Sequence, residues 1–432
     1  MSLHIKNGRV IDPANAVDEV KDVFVADGKI VAFGNAPIGF VAAQTIDATG
    51  FIVAPGLVDL SARLREPGFE CKATLESELQ AAMRGGVTSL VCPPDTDPVL
   101  DEAGLVEMLK QRAKLQNKAR VYPLGALTLG LKGQNLTEMA ALTDAGCMGF
   151  SQAEEAIVDT SVLQRALQYA ATFGFTVWLR PQDAFIGKGG VAHSGPLASR
   201  LGLSGVPVMA ETIALQTLFE LMRTTGARVH ICRISSAAGL ELIRLAKKEG
   251  LPLTCDVGIH HVHLTDVDIG YFDANARLTP PLRSGRDRDA ILAALIDGTI
   301  DAICSDHTPV DDDEKALPFA EASAGATGLE LLLSLTLKWA EDSRGEVSLP
   351  QALAKITRDP AAFLSLISGI NCGSIALGDV ADLCVFDPHA RWLVSADALV
   401  SQGKHTPMLG YELPGVVKAT IVHGHLAYLS TN

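Results

Sequence analysis

The sequence predicts an α/β protein built as a (β/α)8 TIM barrel with a composite β-sandwich domain formed by both chain ends. Three observations point there. Short alternating runs with hairpin punctuation occupy both termini, eight apolar strand-like runs fill the middle, and amphipathic stretches separate many of those runs over roughly 300 residues. The boundaries that follow are 1–54 plus 370–432 for the sandwich and 55–369 for the barrel.

The first strands are written in "LHIKNGRVID", "DVFVADGKIVAFG" and "TIDATGFIVAPG", where Asn-Gly and Asp-Gly supply the positive φ of tight hairpin turns. Barrel strands are expected at 57–60, 87–92, 119–124, 147–151, 175–180, 228–233, 252–256 and 300–305. Helix-spaced patterns such as "TLESELQAAMRGG" and "AGLELIRLAKKEG" stand between them. The last 60 residues return to strand grammar in "GDVADLCVFDP", "RWLVSA" and "VVKATIVHGHLAYLS". An open doubly wound sheet also alternates strands with helices, but the β-rich ends favour the barrel. A barrel places its chemistry at the C-terminal ends of its strands.

Bulk properties narrow the function. The chain has 432 residues, 48% of them hydrophobic, enough for one large domain and an accessory one. With 36 basic and 50 acidic residues the net charge is -14, which argues against nucleic acid or an anionic membrane surface as a partner. The cysteines at 71, 92, 147, 232, 255, 304, 372 and 384 form no CxxC pair, and several sit in apolar strand-like runs, as expected of reduced core thiols in a cytoplasmic protein. No signal peptide is expected, and no run reaches the ~18 apolar residues of a membrane span.

The strand ends offer Ser61, Arg63 and Arg65 after the first strand, Asp95 after the second, and Gln152 with Ala153 after the fourth. Later strands add Arg180, Arg233, His260 with His261, and Asp306 with His307. Ordered motifs along nearly the whole chain make a resemblance specific: "VAPGLVDLxxxLREPGxE", "GGVTSLVCPPDTDP", "SGVPVMAETIAL", "GARVHICxIS", "GIHHVHLTD", "PPLRSGRDRDAIL", "DGTIDAICSDHTP" and "GKHTPMLGYELPGVVKATIVHG". The chain resembles the dihydroorotases of the cyclic amidohydrolase family. That resemblance implies a barrel of the metal-dependent hydrolase type, a zinc centre at its mouth, and reversible cyclisation of carbamoyl-aspartate to dihydroorotate.

The resemblance breaks at the site it implies. The family's first-strand His-x-His falls on Ser61 and Arg63, its strand-five histidine on Arg180, and its strand-six histidine on Arg233. Where relatives read "FSDD" after strand four this chain reads "FSQAEE", which puts Ala153 in a former ligand position unless Glu154 or Glu155 shifts into place. Of the metal ligands only Asp306 remains. Zinc needs three or more N, O or S donors, and guanidinium groups repel a divalent ion, so no metal and no other cofactor is expected. Guanidinium charge is expected to replace metal charge, with Asp306, Asp95 and Asp183 as counter-ions. Among substrate-binding positions Arg65 is kept, whereas Asp95 stands for an asparagine, Thr279 for another asparagine and Val310 for a histidine.

Blander readings stand beside these. Asp306 and His307 form either a residual acid/base pair or, the preferred reading, a structural pair anchoring the arginines. "HHVH" at 260–263 matches the family text and adds only His263, so it is not expected to bind metal. "FIGKGGVAHSG" at 185–195 lacks phosphate-loop spacing and reads as a mobile loop over the mouth. "PVDDDEK", in the loop at 308–325, reads as a solvated acidic stretch. The arginines themselves form either an anion pocket or, preferably, an internal salt-bridge network.

Three functions are weighed. The first is a non-catalytic chain, similar to the inactive dihydroorotase-like subunits that some bacteria assemble with the aspartate carbamoyltransferase catalytic chain; by the same resemblance this chain is expected to homodimerise through its barrel loops. The alternative is an active cyclic amidohydrolase with an atypical or mononuclear site using Asp306 with His307. The third is a small-anion sensor built on the arginines.

Overall fold

The computed structural model describes residues 2–430. Eight parallel strands, numbered one to eight here, run Leu57–Asp59, Val87–Cys92, Arg120–Pro123 continued by Gly125–Ala126, Phe150–Ser151, Thr176–Leu179, Arg228–Ile231, Leu253–Gly258 and Ala302–Cys304. Strand three is interrupted at Leu124, whose N–H donates to Cys92 O, while Gly125 N donates to Gly149 O on the other side. The ring closes between strands one and eight through the parallel bridge Ala62↔His307, with Arg63 N donating to His307 O at 2.8 Å and His307 N to Ser61 O at 3.2 Å. The fold is therefore the TIM barrel expected of the sequence.

Each strand is followed by a helix that packs its apolar face against the outside of the ring. Leu75–Arg84 illustrates why such stretches are helical. Thr74 caps its N-terminus reciprocally with Ser77, acidic Glu76 and Glu78 sit in its first turn, and Arg84 closes the last. The helix Arg358–Ser368 plugs the opposite end of the barrel. Its Phe363 and Leu364 pack against Val58, Leu60 and Trp178, and the Phe363 ring lies 4.6 Å from that of His230. With that floor filled, the C-terminal mouth is the end left for chemistry or binding.

Two sheets flank the barrel. One has six strands in the order His425–Leu429, Glu412–Val422, Leu383–Leu393, Ile52–Pro55, Arg9–Asp12 and Val17–Val20, so it interleaves both chain ends. The other comprises Lys29–Phe33, Val23–Ala26, Ser2–Lys6 and Gln44–Asp47. They share a separate core of Leu3, Ile5, Val25, Val53, Leu383 and Ile421. Residues 395–409 leave the sheet and lie against the barrel. Ser401 Oγ and Gln402 N there donate to Glu78, and Thr327 N donates to His405 O.

Candidate functional site at the barrel mouth

Backbone geometry assembles the mouth before any side chain is considered. Arg65, Ala153, Arg233 and Asp306, each just beyond a strand end, hold φ values of 62°, 50°, 53° and 50°. Such values are unfavourable for non-glycine residues and gather where a fold shapes a site. At Arg233 the turn is held by its N–H, which donates to Asp256 Oδ1 at 2.5 Å. At Ala153 the N–H donates to Ser151 Oγ, and the methyl group packs with Ala126 and Leu131. That turn at Ala153 sends the next side chain, Glu154, into the mouth.

Glu154 is the hub. Its Oε1 lies 2.7 Å from Arg63 Nη2 and 2.6 Å from Arg233 Nη2, and its Oε2 lies 2.5 Å from Arg180 Nε. Asp306 Oδ1 accepts from Arg233 Nη1 at 3.0 Å and lies 3.8 Å from Arg63 Nη1. Asp95 Oδ2 accepts from Arg63 Nε at 2.7 Å. Neutral acceptors add to the shell: Thr308 Oγ1 for Arg63, Gln182 Oε1 and Glu154 O for Arg180, and Thr279 O for Arg233, while Arg233 Nε has no hydrogen-bond partner among the described residues. Three guanidinium groups thus meet three carboxylates, and the cluster is neutral.

Burial makes this pairing obligatory. The arginine side chains are only 5 to 7% exposed, and an unpaired charge there would cost several kcal/mol. Burial pushes the Glu154 carboxyl up, but Arg233, Arg180 and Arg63 outweigh it and hold the group well below the usual carboxylate range. Burial lowers the Arg63 pKa, yet Asp95 and Glu154 carry it above the ordinary arginine value. For Asp306 burial prevails over Arg233 and Arg63, and its pKa is raised.

The expected counter-ions need correction. Asp183 does not meet the arginines; its Oδ1 accepts from Phe185 N and Ile186 N, closing a local turn. Glu154 takes its place. The signal was in "FSQAEE", but a sequence does not tell which of two adjacent glutamates a turn aims inward. His307 is also not an anchor for arginines. Its Nε2 lies 2.6 Å from Glu78 Oε2 and its Nδ1 accepts from Gly328 N at 3.1 Å, with both side chains fully buried. It therefore faces the helix Leu75–Arg84 and not the mouth.

The remaining positions are placed as follows. Arg65 donates from Nε to Pro309 O at 2.9 Å, and burial, then the Arg63 cation, lower its pKa to about 10. Ser61 is buried, with its carbonyl spent on barrel closure, and Val310 is buried apolar packing. Gln152 points away, accepting from Thr128 Oγ1 and donating to Leu131 O. The histidines of "HHVH" diverge: His261 Nε2 bonds Pro280 O and His263 Nε2 bonds Leu335 O, while neither ring nitrogen of His260 has a hydrogen-bond partner among the described residues. In the 185–195 segment, Ala192–His193 pairs with Gly205–Val206 beyond strand five.

These residues do not fit a zinc ion. Carboxylate oxygens of Glu154, Asp306 and Asp95 that would ligate it already accept from guanidinium groups, and cations stand where neutral or anionic donors are needed. Among the described residues no group of three or more His, Cys, Asp or Glu could hold a metal ion.

Comparison with known proteins places this geometry. Residues 50–238 match a family model described as dihydro-orotase-like, and residues 207–427 match the amidohydrolase family. A dihydroorotase-like protein of Pseudomonas aeruginosa is 44% identical over 99% of this chain and 100% of its own length. A dihydroorotase of Geobacter metallireducens is 40% identical, again over 99% of this chain and 100% of its own. Among solved structures, an L-hydantoinase (dihydropyrimidinase) from Arthrobacter aurescens superposes with a TM-score of 0.88 at 24% identity, covering 100% of this chain and 96% of that one. No helix among the described residues is long and apolar enough to cross a membrane.

Proposed function

The chain belongs to the dihydroorotase-like family of amidohydrolases, and from that premise we propose that it is a catalytically inactive member. It acts in pyrimidine biosynthesis as a structural subunit for the aspartate carbamoyltransferase catalytic chain. One observation carries the loss of catalysis: Arg63, Arg180 and Arg233 converge on Glu154 in the space where a metal-activated water would have to form. No zinc is bound in this reading, and Asp306, committed to Arg233, is no general base. A barrel and sandwich whose cores do not involve the mouth remain available for assembly. The partner's identity rests on the resemblance to bacterial inactive dihydroorotase-like chains. Homodimerisation and a cytoplasmic location belong to the same reading, and the eight unpaired cysteines accord with a reducing compartment.

The test is reconstitution with the purified transferase catalytic chain. The expected result is a stable complex, transferase activity that depends on this chain, and no dihydroorotase turnover. A transferase that assembles and works at full rate alone would overturn the assembly role. Turnover abolished by Asp306→Ala would overturn the inactivity.

A further inference from the structure

Beside the ion cluster, and sharing Arg180 and Gln182 with it, the mouth carries a largely apolar pocket. Its walls are the segments after strands four and five, with Val158 on one side and Phe185 on the other, and its floor is the helix Val208–Thr225 through Ile213 and Leu218. Val158 and Phe185 are 60% and 67% exposed, although apolar side chains of this size gain most by burial. The cavity volume is about 140 Å³, close to one that accommodates a benzene ring.

The charges around it say what would enter. The single cation of the lining, Arg180, is turned inward and held by Glu154 and Gln182, so it does not call for an anionic ligand. The other charges of the lining are Glu155 and Asp183, both acidic. An apolar socket with an acidic rim complements an apolar side chain flanked by lysine or arginine. A second copy of this chain, with its net charge of -14, would bring more acidic surface to that rim.

We infer that this pocket is the socket for an apolar anchor residue, with basic neighbours, on the transferase catalytic chain. The inference rests on the assembly role proposed above. It assigns the rim of the former active site, on the side of strands four and five, to the interface.

The full-length chain and the purified transferase catalytic chain test it by titration calorimetry and gel filtration. Val158→Glu and Ile213→Glu, both at exposed positions, are expected to keep wild-type melting behaviour and to weaken the complex by about thirtyfold, on the scale of one lost anchor. Glu155→Lys is expected to weaken it less, and added salt to weaken the wild-type complex. If wild type binds and both glutamate variants bind equally well, the socket is refuted and the assembly role stands. If the variants instead dissociate an oligomer of this chain alone while transferase binding persists, the pocket serves a second copy and the inference is overturned. If wild type does not bind the transferase at all, the assembly role fails and takes the socket with it.

Discussion

Glu154→Gln tests the ion cluster at its centre. The substitution keeps shape and removes one negative charge from a group that contacts Arg63, Arg180 and Arg233 at 2.5 to 2.7 Å. A glutamine amide also turns N–H donors toward guanidinium donors. Breaking a buried pair from one side costs about 3 to 5 kcal/mol, and because the Glu154 side chain is 31% exposed the lower figure applies. With an unfolding entropy of about 2.1 cal/mol/K per residue over 432 residues, about 3 kcal/mol lowers Tm by about 3 °C. Differential scanning calorimetry at one fixed scan rate reads this. The pH dependence gives a second reading. The folded carboxyl titrates below its unfolded value of about 4.3, so its stabilisation is complete above that pH and is lost as pH falls toward the folded value. The Tm gap between wild type and variant should be widest above about pH 5 and should shrink below about pH 4. An unchanged or raised Tm near neutrality would refute the claim that Glu154 neutralises the arginines.

Three further outcomes follow from the same geometry. His307→Ala removes the hydrogen bond from the ring to buried Glu78, which keeps Ser401 and Gln402 as donors, and should cost about 2 kcal/mol in a urea melt while speeding proteolysis around Ser401 and Gln402. A double-mutant cycle of Arg63→Ala with Asp95→Ala should give a coupling of about 1 to 3 kcal/mol, and simple additivity would contradict the pairing at 2.7 Å. Gly68→Ala should cost at least about 1 kcal/mol in thermal or urea unfolding, because Gly68 sits at φ 97° and a Cβ there would run into the Asp97 carbonyl oxygen.

The barrel was legible because burial imposes a code on its strands. Runs such as Val87–Cys92 and Ala302–Cys304 are continuous apolar or small-residue segments, as strands covered on both faces must be. The arginines were legible because a permanent cation at a barrel strand end cannot be passed over. Their partners were less so. Asp95 and Asp306 follow their strands directly, whereas Glu154 depends on a positive-φ turn at Ala153, and nothing in alanine announces φ 50°. Asp183 was plausible by position, but its carboxylate is taken by two backbone amides of its own loop. The partner of His307 lay 229 residues away on a helix, where Glu78 reads as an ordinary first-turn acid. Long-range pairing of this kind is set by tertiary packing and leaves no local trace.

Zinc content bears most directly on the central claim that guanidinium charge has replaced metal charge at the mouth. The full chain, saturated with zinc, freed of loosely bound ion by gel filtration and assayed by inductively coupled plasma mass spectrometry, should retain far less than one equivalent. One or more equivalents retained by the wild type and lost in Asp306→Ala would contradict it.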